Sequence, residues 1–144
     1  MSVEHQLLES LSFFEDLQIE ELQEFASLLS LMSVKKGDVV IKKGTPALTF
    51  YIIFKGVFEI SFEGRAAITI DKKGEILGWS TVVAPFQYTG TVTATKDGEL
   101  LYISNRDFIT LIQGNNALGE KVVRKINKVA TERRAAFSST IPEK

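Results

Sequence analysis

Residues 37–60 read GDVVIKKGTPALTFYIIFKGVFEI. Gly37, Gly44 and Gly56 fall at turn positions, and Val40, Leu48, Tyr51, Ile53, Phe58 and Ile60 stand between them as apolar anchors. Just beyond, Phe58, Ile60 and Phe62 alternate with Val57, Glu59 and Ser61. A period of two puts one set on one face of a strand, so this strand has one apolar face. The same texture recurs along the chain. Val39–Ile41, Phe50–Phe54, Val57–Phe62, Ala67–Ile70, Thr89–Ala94 and Leu100–Ile103 are short runs rich in β-branched and aromatic residues. Glu63-Gly64-Arg65 and Lys96-Asp97-Gly98-Glu99 have the composition of hairpin turns. Short strands this close together, with no helix between them, imply an antiparallel sandwich or barrel.

Helical patterns flank the strands. Residues 3–32 contain no Gly or Pro and carry Leu7, Leu8 and Leu11, then Leu17, Leu22, Phe25, Leu28 and Leu29, at spacings near those of an amphipathic helix. Asn105-Arg106-Asp107-Phe108 opens a short helix ending near Gly114. A longer one starts near Asn115, with Leu118, Val122, Ile126, Val129, Arg133 and Ala136 in a narrow seam. Such a seam suits a partner helix in a dimer, or the chain's own barrel. The expected organisation is one domain, 1–144. Helices fill 1–34, strands 35–104 and helices 105–137, and 138–144 form a tail.

Composition narrows the function. The 144 residues include no Cys and one His, His5. That excludes disulfide scaffolds, zinc ribbons, cysteine nucleophiles, histidine triads and histidine-rich metal sites. Neither a metal nor catalysis is expected. No apolar run approaches the ~20 residues of a membrane span. The N-terminus lacks a signal-peptide pattern, so a cytoplasmic location is expected. The formal net charge of −1 gives no overall drive toward nucleic acid. It hides an asymmetry. Residues 1–34 carry seven acidic side chains and no Lys or Arg, while residues 115–144 carry seven basic and three acidic ones. Two solvated faces would account for this, and so would packing of the two ends together.

The strand–glycine order of 37–60, with KKGEILGWSTVV (72–83) and YTGTVTATKDGELLYISNRDF (88–108), resembles the cyclic nucleotide-binding domain of the catabolite activator and FNR (Crp/Fnr) type. The resemblance spans about residues 12–137. It implies an all-β core, a double-stranded β-helix of jelly-roll (β-roll) type over 35–104, with N-terminal helices and a long C-terminal helix that commonly pairs in dimers. It also implies a cyclic nucleotide, cAMP or cGMP, held by a phosphate-binding cassette within residues 76–92. In nucleotide-binding members a Gly-Glu pair opens the cassette and an Arg followed by Ser or Thr and usually Ala pairs with the phosphate. The matching residues here are Gly78-Trp79 and Tyr88-Thr89-Gly90. No Arg lies between Arg65 and Arg106 to replace the missing one.

The candidate ligand-binding residues are therefore Gly78, Trp79, Ser80, Thr81, Tyr88, Thr89 and Gly90. Trp79 and Tyr88 either fill the cavity or line it for another small ligand, with the Tyr88 hydroxyl as a polar handle. Two functions follow. One is a non-enzymatic, small-molecule-sensing regulatory module with altered or weak nucleotide binding. The other is a ligand-free interaction module acting through a homodimer helix or a protein partner. A DNA-recognition domain is not expected, since only about seven residues follow the last helix. Direct nucleic-acid and membrane contacts are likewise not expected.

Overall fold

The computed structural model describes residues 3–62, 67–81 and 87–139. The chain runs α1 (His5–Leu8), a 3₁₀ turn (Ser12–Phe14), α2 (Ile19–Ala26), β1 (Ser30–Val34), β2 (Val39–Ile41), β3 (Thr49–Lys55), β4 (Phe58–Ser61), β5 (Ile68–Ile70) and β6 (Ile76–Leu77). A second 3₁₀ turn (Trp79–Thr81) precedes β7 (Thr91–Ala94), β8 (Gly98–Ser104), α3 (Asn105–Gly114) and α4 (Asn116–Ser139). The strands form two antiparallel four-stranded sheets, ordered β1-β8-β3-β6 and β2-β7-β4-β5. This is the jelly-roll core with flanking helices that the strand pattern and the resemblance imply.

The two sheets read differently in sequence because they are buried differently. In β3, Phe50 and Ile52 enter a core shared with the helices, while Ile53 and Tyr51 face the interior of the roll. In β8, Leu101 and Ile103 join the helical core and Leu100 the roll. Both faces of the central strands are covered, which is why β3 is a nearly unbroken apolar run. In β4, Phe58 and Ile60 are buried and Glu59 is exposed, the alternation of a sheet with one wet face. The helical core is dominated by rings. Phe14 and Phe25 meet edge to face at 5.0 Å, and Phe50 and Phe108 lie 4.6 Å apart.

Three expectations need correction. The helical reading of residues 3–32 fails at its C-terminal end, because Ser30–Val34 are β1, paired with β8. Leu28, Leu29 and Leu31 mimic a helical stripe, but the edge of β8 claims the backbone. The Lys96–Glu99 turn is not a hairpin. It carries the chain from β7, which pairs with β2 and β4, to β8 in the other sheet. Leu48 is not an anchor, being 59% exposed just before β3. The two-residue strand β6 passes without a sequence signal of its own. The Glu63-Gly64-Arg65 turn lies outside the described residues, although the strands it joins, β4 and β5, do pair antiparallel.

The seam on α4 is occupied from within the chain. Leu118, Val122, Ile126 and Ala130 are buried, and Val129 packs partly buried, against the helical core. Charge reinforces this docking. Lys121 bonds Glu21 of α2 at 2.8 Å, and Lys125 pairs with Asp16 and donates to the Phe13 carbonyl at 2.8 Å. The acidic front and basic tail thus meet in one molecule.

Glu21 is central to that contact. Its Oε1 accepts from both the Gln18 N–H at the start of α2 and the Lys121 ammonium, each at 2.8 Å. Burial raises its pKa, but these bonds and the nearby charge outweigh burial and hold it below the ordinary 4.5. A carboxyl depressed in the folded state contributes stability above its unfolded value, and loses that contribution as pH falls through the folded one. Urea unfolding of the wild type should therefore weaken on acidification below about pH 4.5, and the slope should be shallower in Glu21→Gln. An unchanged acid slope in that variant would show that Glu21 does not carry the linkage.

Candidate functional site

The site lies where β6 ends and β7 begins. Gly78 leaves β6 with φ +82°, a left-handed conformation that L side chains rarely adopt. A Cβ there would also lie 3.0 Å from the Thr49 carbonyl and 3.2 Å from the Tyr88 ring. Gly78 is therefore required twice over, by its backbone angle and by what packs on it. Its carbonyl accepts from the Thr81 N–H (3.2 Å) and hydroxyl (3.0 Å), closing the 3₁₀ turn.

Tyr88 and Trp79, which the resemblance sets against the family's Arg and Glu, go to different places. Tyr88 belongs to the roll interior and Trp79 to the helical core. The Tyr88 hydroxyl donates to the Thr49 carbonyl at 2.6 Å and accepts from the Thr49 N–H at 3.1 Å. On that edge of β3, Ile53 bonds to Glu75 and Gly74 across from it, but β6 stops at Leu77. One phenol oxygen thus does for Thr49 what a longer strand would do. Burial pushes the Tyr88 pKa up to about 12, so the group remains a neutral donor. Its one hydrogen is committed to the Thr49 carbonyl, so toward a ligand the hydroxyl offers acceptor capacity only.

Between them lies a cavity of about 20 Å³ lined by Gly78, Trp79, Tyr88, Thr89 and Gly90, together with Ile41, Ile60, Phe62, Val92 and Arg133. Five of the seven expected residues therefore meet in one place. Thr81 is buried with its hydroxyl turned back to Gly78, and the side chain of Ser80 lies outside the described residues. So do Pro85 and Phe86. The space admits about one or two waters, whereas small-molecule sites run to roughly 300–1,000 Å³. Gly90 keeps the wall tight, since a Cβ there would meet the Phe62 ring at 2.5 Å.

Arg133 is the residue that sequence reasoning did not place here. It sits on α4 and is 4% exposed. Its Nη2 bonds Glu75 Oε2 at 3.1 Å, and its guanidinium carbon lies 5.7 Å from the centre of the Trp79 ring. The signal was present, because it is the one charged member of an otherwise apolar seam. Among the described residues no group of three or more His, Asp or Glu could hold a metal, and no helix is long and apolar enough to cross a membrane.

If the Tyr88 hydroxyl completes the β3 edge, Tyr88→Phe should lower unfolding stability by about 1–3 kcal/mol, the cost of orphaning buried backbone groups. Gly78→Ala should be destabilising as well. Urea denaturation measures both, and a neutral Tyr88→Phe would show that water replaces the phenol.

The comparisons with known proteins agree with this geometry. A protein of Geobacter metallireducens assigned to cyclic nucleotide binding superposes with TM-score 0.81 at 23% identity, over 91% of this chain and 98% of that one. The regulatory subunit of a cAMP-independent protein kinase A from Trypanosoma brucei gives 0.76 at 20%, over 88% and 44%. A triple variant of that subunit, one change being threonine to arginine, is bound to cAMP in its A site and superposes with TM-score 0.73 at 20% identity, over 87% of this chain and 45% of that one. The acetyltransferase Pat of Mycolicibacterium smegmatis is 28% identical over 138 residues, 94% of this chain and 40% of that protein. The chain spans well under half the length of the curated relatives it matches. The family pattern described as the cyclic nucleotide-binding domain matches residues 31–115. With its jelly roll, its cassette turn at Gly78 and its closing helices, this chain belongs to the cyclic nucleotide-binding domain family.

Proposed function

We propose that this chain is a non-enzymatic, cytoplasmic regulatory module whose roll no longer takes cyclic nucleotide and whose output passes through α4. The observation that carries this is the cavity. The resemblance matches Trp79 and Tyr88 to the family's ribose-binding Glu and phosphate-binding Arg, and both line a space of about 20 Å³. A buried cyclic phosphate needs a cation in its cassette to offset desolvation. In the described part of 76–92 the candidate donors are uncharged. The kinase subunit termed cAMP-independent, and its cAMP-bound variant carrying a new arginine, support the same logic by analogy.

A second reading is favoured by how full the cavity is. A module with no ligand would act through contacts alone. Since Leu118, Val122 and Ile126 are buried in the chain's own core, a homodimer through α4 would use the groove bearing Ile112, Gly119 and Val123.

Calorimetric titration separates these readings from nucleotide sensing. Cyclic AMP or cyclic GMP at about 1 mM should give no binding heat and no thermal stabilisation. The double variant Trp79→Glu, Tyr88→Arg should gain at least tenfold in cAMP affinity. Micromolar binding of either nucleotide by the wild type would overturn the proposal. Light scattering on Val123→Glu then tests the dimer, which that change should dissociate.

A further inference from the structure

Arg133 is held in an unusual way. Only one end of its fork is used. Nη2 is bonded to Glu75, while Nη1 is buried and has no hydrogen-bond partner among the described residues. A buried N–H of a charged group left unbonded is costly, and more so than for a neutral one. Glu75 is a partial partner, its side chain 35% exposed and engaging a single nitrogen. The Trp79 ring at 5.7 Å gives the cation a favourable face but accepts no conventional hydrogen bond. Arg133 also lines the cavity beside Thr89 and Gly90.

From this we infer that the roll cavity is an anion site whose counter-charge comes from Arg133 on α4, not from the cassette, and that it takes the carboxylate or phosphate group of a small molecule. A guanidinium is planar and presents several donors in a fixed fork, so one nitrogen can stay on Glu75 while the other binds a second oxyanion. Thr89 and Gly90 belong to the same lining. The inference rests on the reading that nucleotide binding is lost, and it adds the class of ligand. Acetate and phosphate are larger than the one or two waters that the space of about 20 Å³ admits, so entry of the anion requires Trp79 or Phe62 in the lining to move. Because the cation belongs to the helix, occupancy at the cavity acts on α4 directly.

The test is thermal unfolding of the full chain with potassium phosphate or potassium acetate up to about 20 mM, at ionic strength held constant with potassium chloride. The wild type should show saturable stabilisation by at least one of the two, and the stronger anion distinguishes phosphate from carboxylate. Arg133→Met should weaken the apparent affinity at least tenfold. Glu75→Gln should retain or strengthen it, since the guanidinium then loses its competing carboxylate. If Arg133→Met does not fold, amide NMR of the wild type decides. Phosphate or acetate should shift the Gly90 and Thr89 amides and the Arg133 side-chain resonance together. No saturable effect, or one unchanged in Arg133→Met, would overturn the anion site. That result would leave the loss of nucleotide binding standing, because the nucleotide titration measures it separately.

Discussion

The central strands β3 and β8 of the sheet β1-β8-β3-β6 are packed on both faces, and the architecture follows from that constraint. A sheet buried on both sides needs cover on both sides. The second sheet covers one face and makes the roll interior. The N-terminal turns, α2, α3 and α4 cover the other with a core of phenylalanine rings. Neither cover is independent of the other, since adjacent residues of β3 and β8 point into opposite cores. Phe50 and Ile52 cannot shift without moving Tyr51 and Ile53. The two cores are therefore mechanically one unit, and the candidate site lies at the place where they are linked.

At that place two stretches of chain converge that are far apart in sequence, the surroundings of β6 and α4. Glu75 comes from the approach to β6, Trp79 from the turn after it, and Arg133 from α4. In the family pattern the charge that holds a ligand belongs to the cassette. In this chain Trp79 and Tyr88 bring aromatic bulk to the cavity, and the charged residue in its lining, Arg133, is on α4. The difference concerns which element a ligand would grip, with the fold left unaltered.

Much of this was legible in the residues, for physical reasons that also mark where legibility stopped. Strands β2 to β5, β7 and β8 announce themselves because apolar alternation and glycine turns are local properties. The docking of the acidic N-terminus on the basic helix was one of two open readings, and charge counts alone could not choose between them. β1 was hidden, since Leu28, Leu29 and Leu31 satisfy a helical spacing and only the unpaired edge of β8 decides otherwise. Of the site, the cluster Gly78, Trp79, Tyr88, Thr89 and Gly90 followed from the family pattern. The Thr49 contact of Tyr88 did not, because it depends on where β6 runs out. Arg133 was read as a seam position, and its meeting with Glu75 and Trp79 spans more than fifty residues of chain.

The cations that fasten α4 have a geometric consequence. Lys121 and Lys125 are about one turn apart, and Arg133 lies about two turns further, rotated by roughly 80° about the axis from Lys125. Each is tied to a different fixed group: Glu21, the Phe13 carbonyl with Asp16, and Glu75. Sliding the helix by one residue would turn it by about 100° and break all three ties at once. The helix is thus indexed like a key with three teeth. A one-residue shift of its seating therefore means releasing all three ties together.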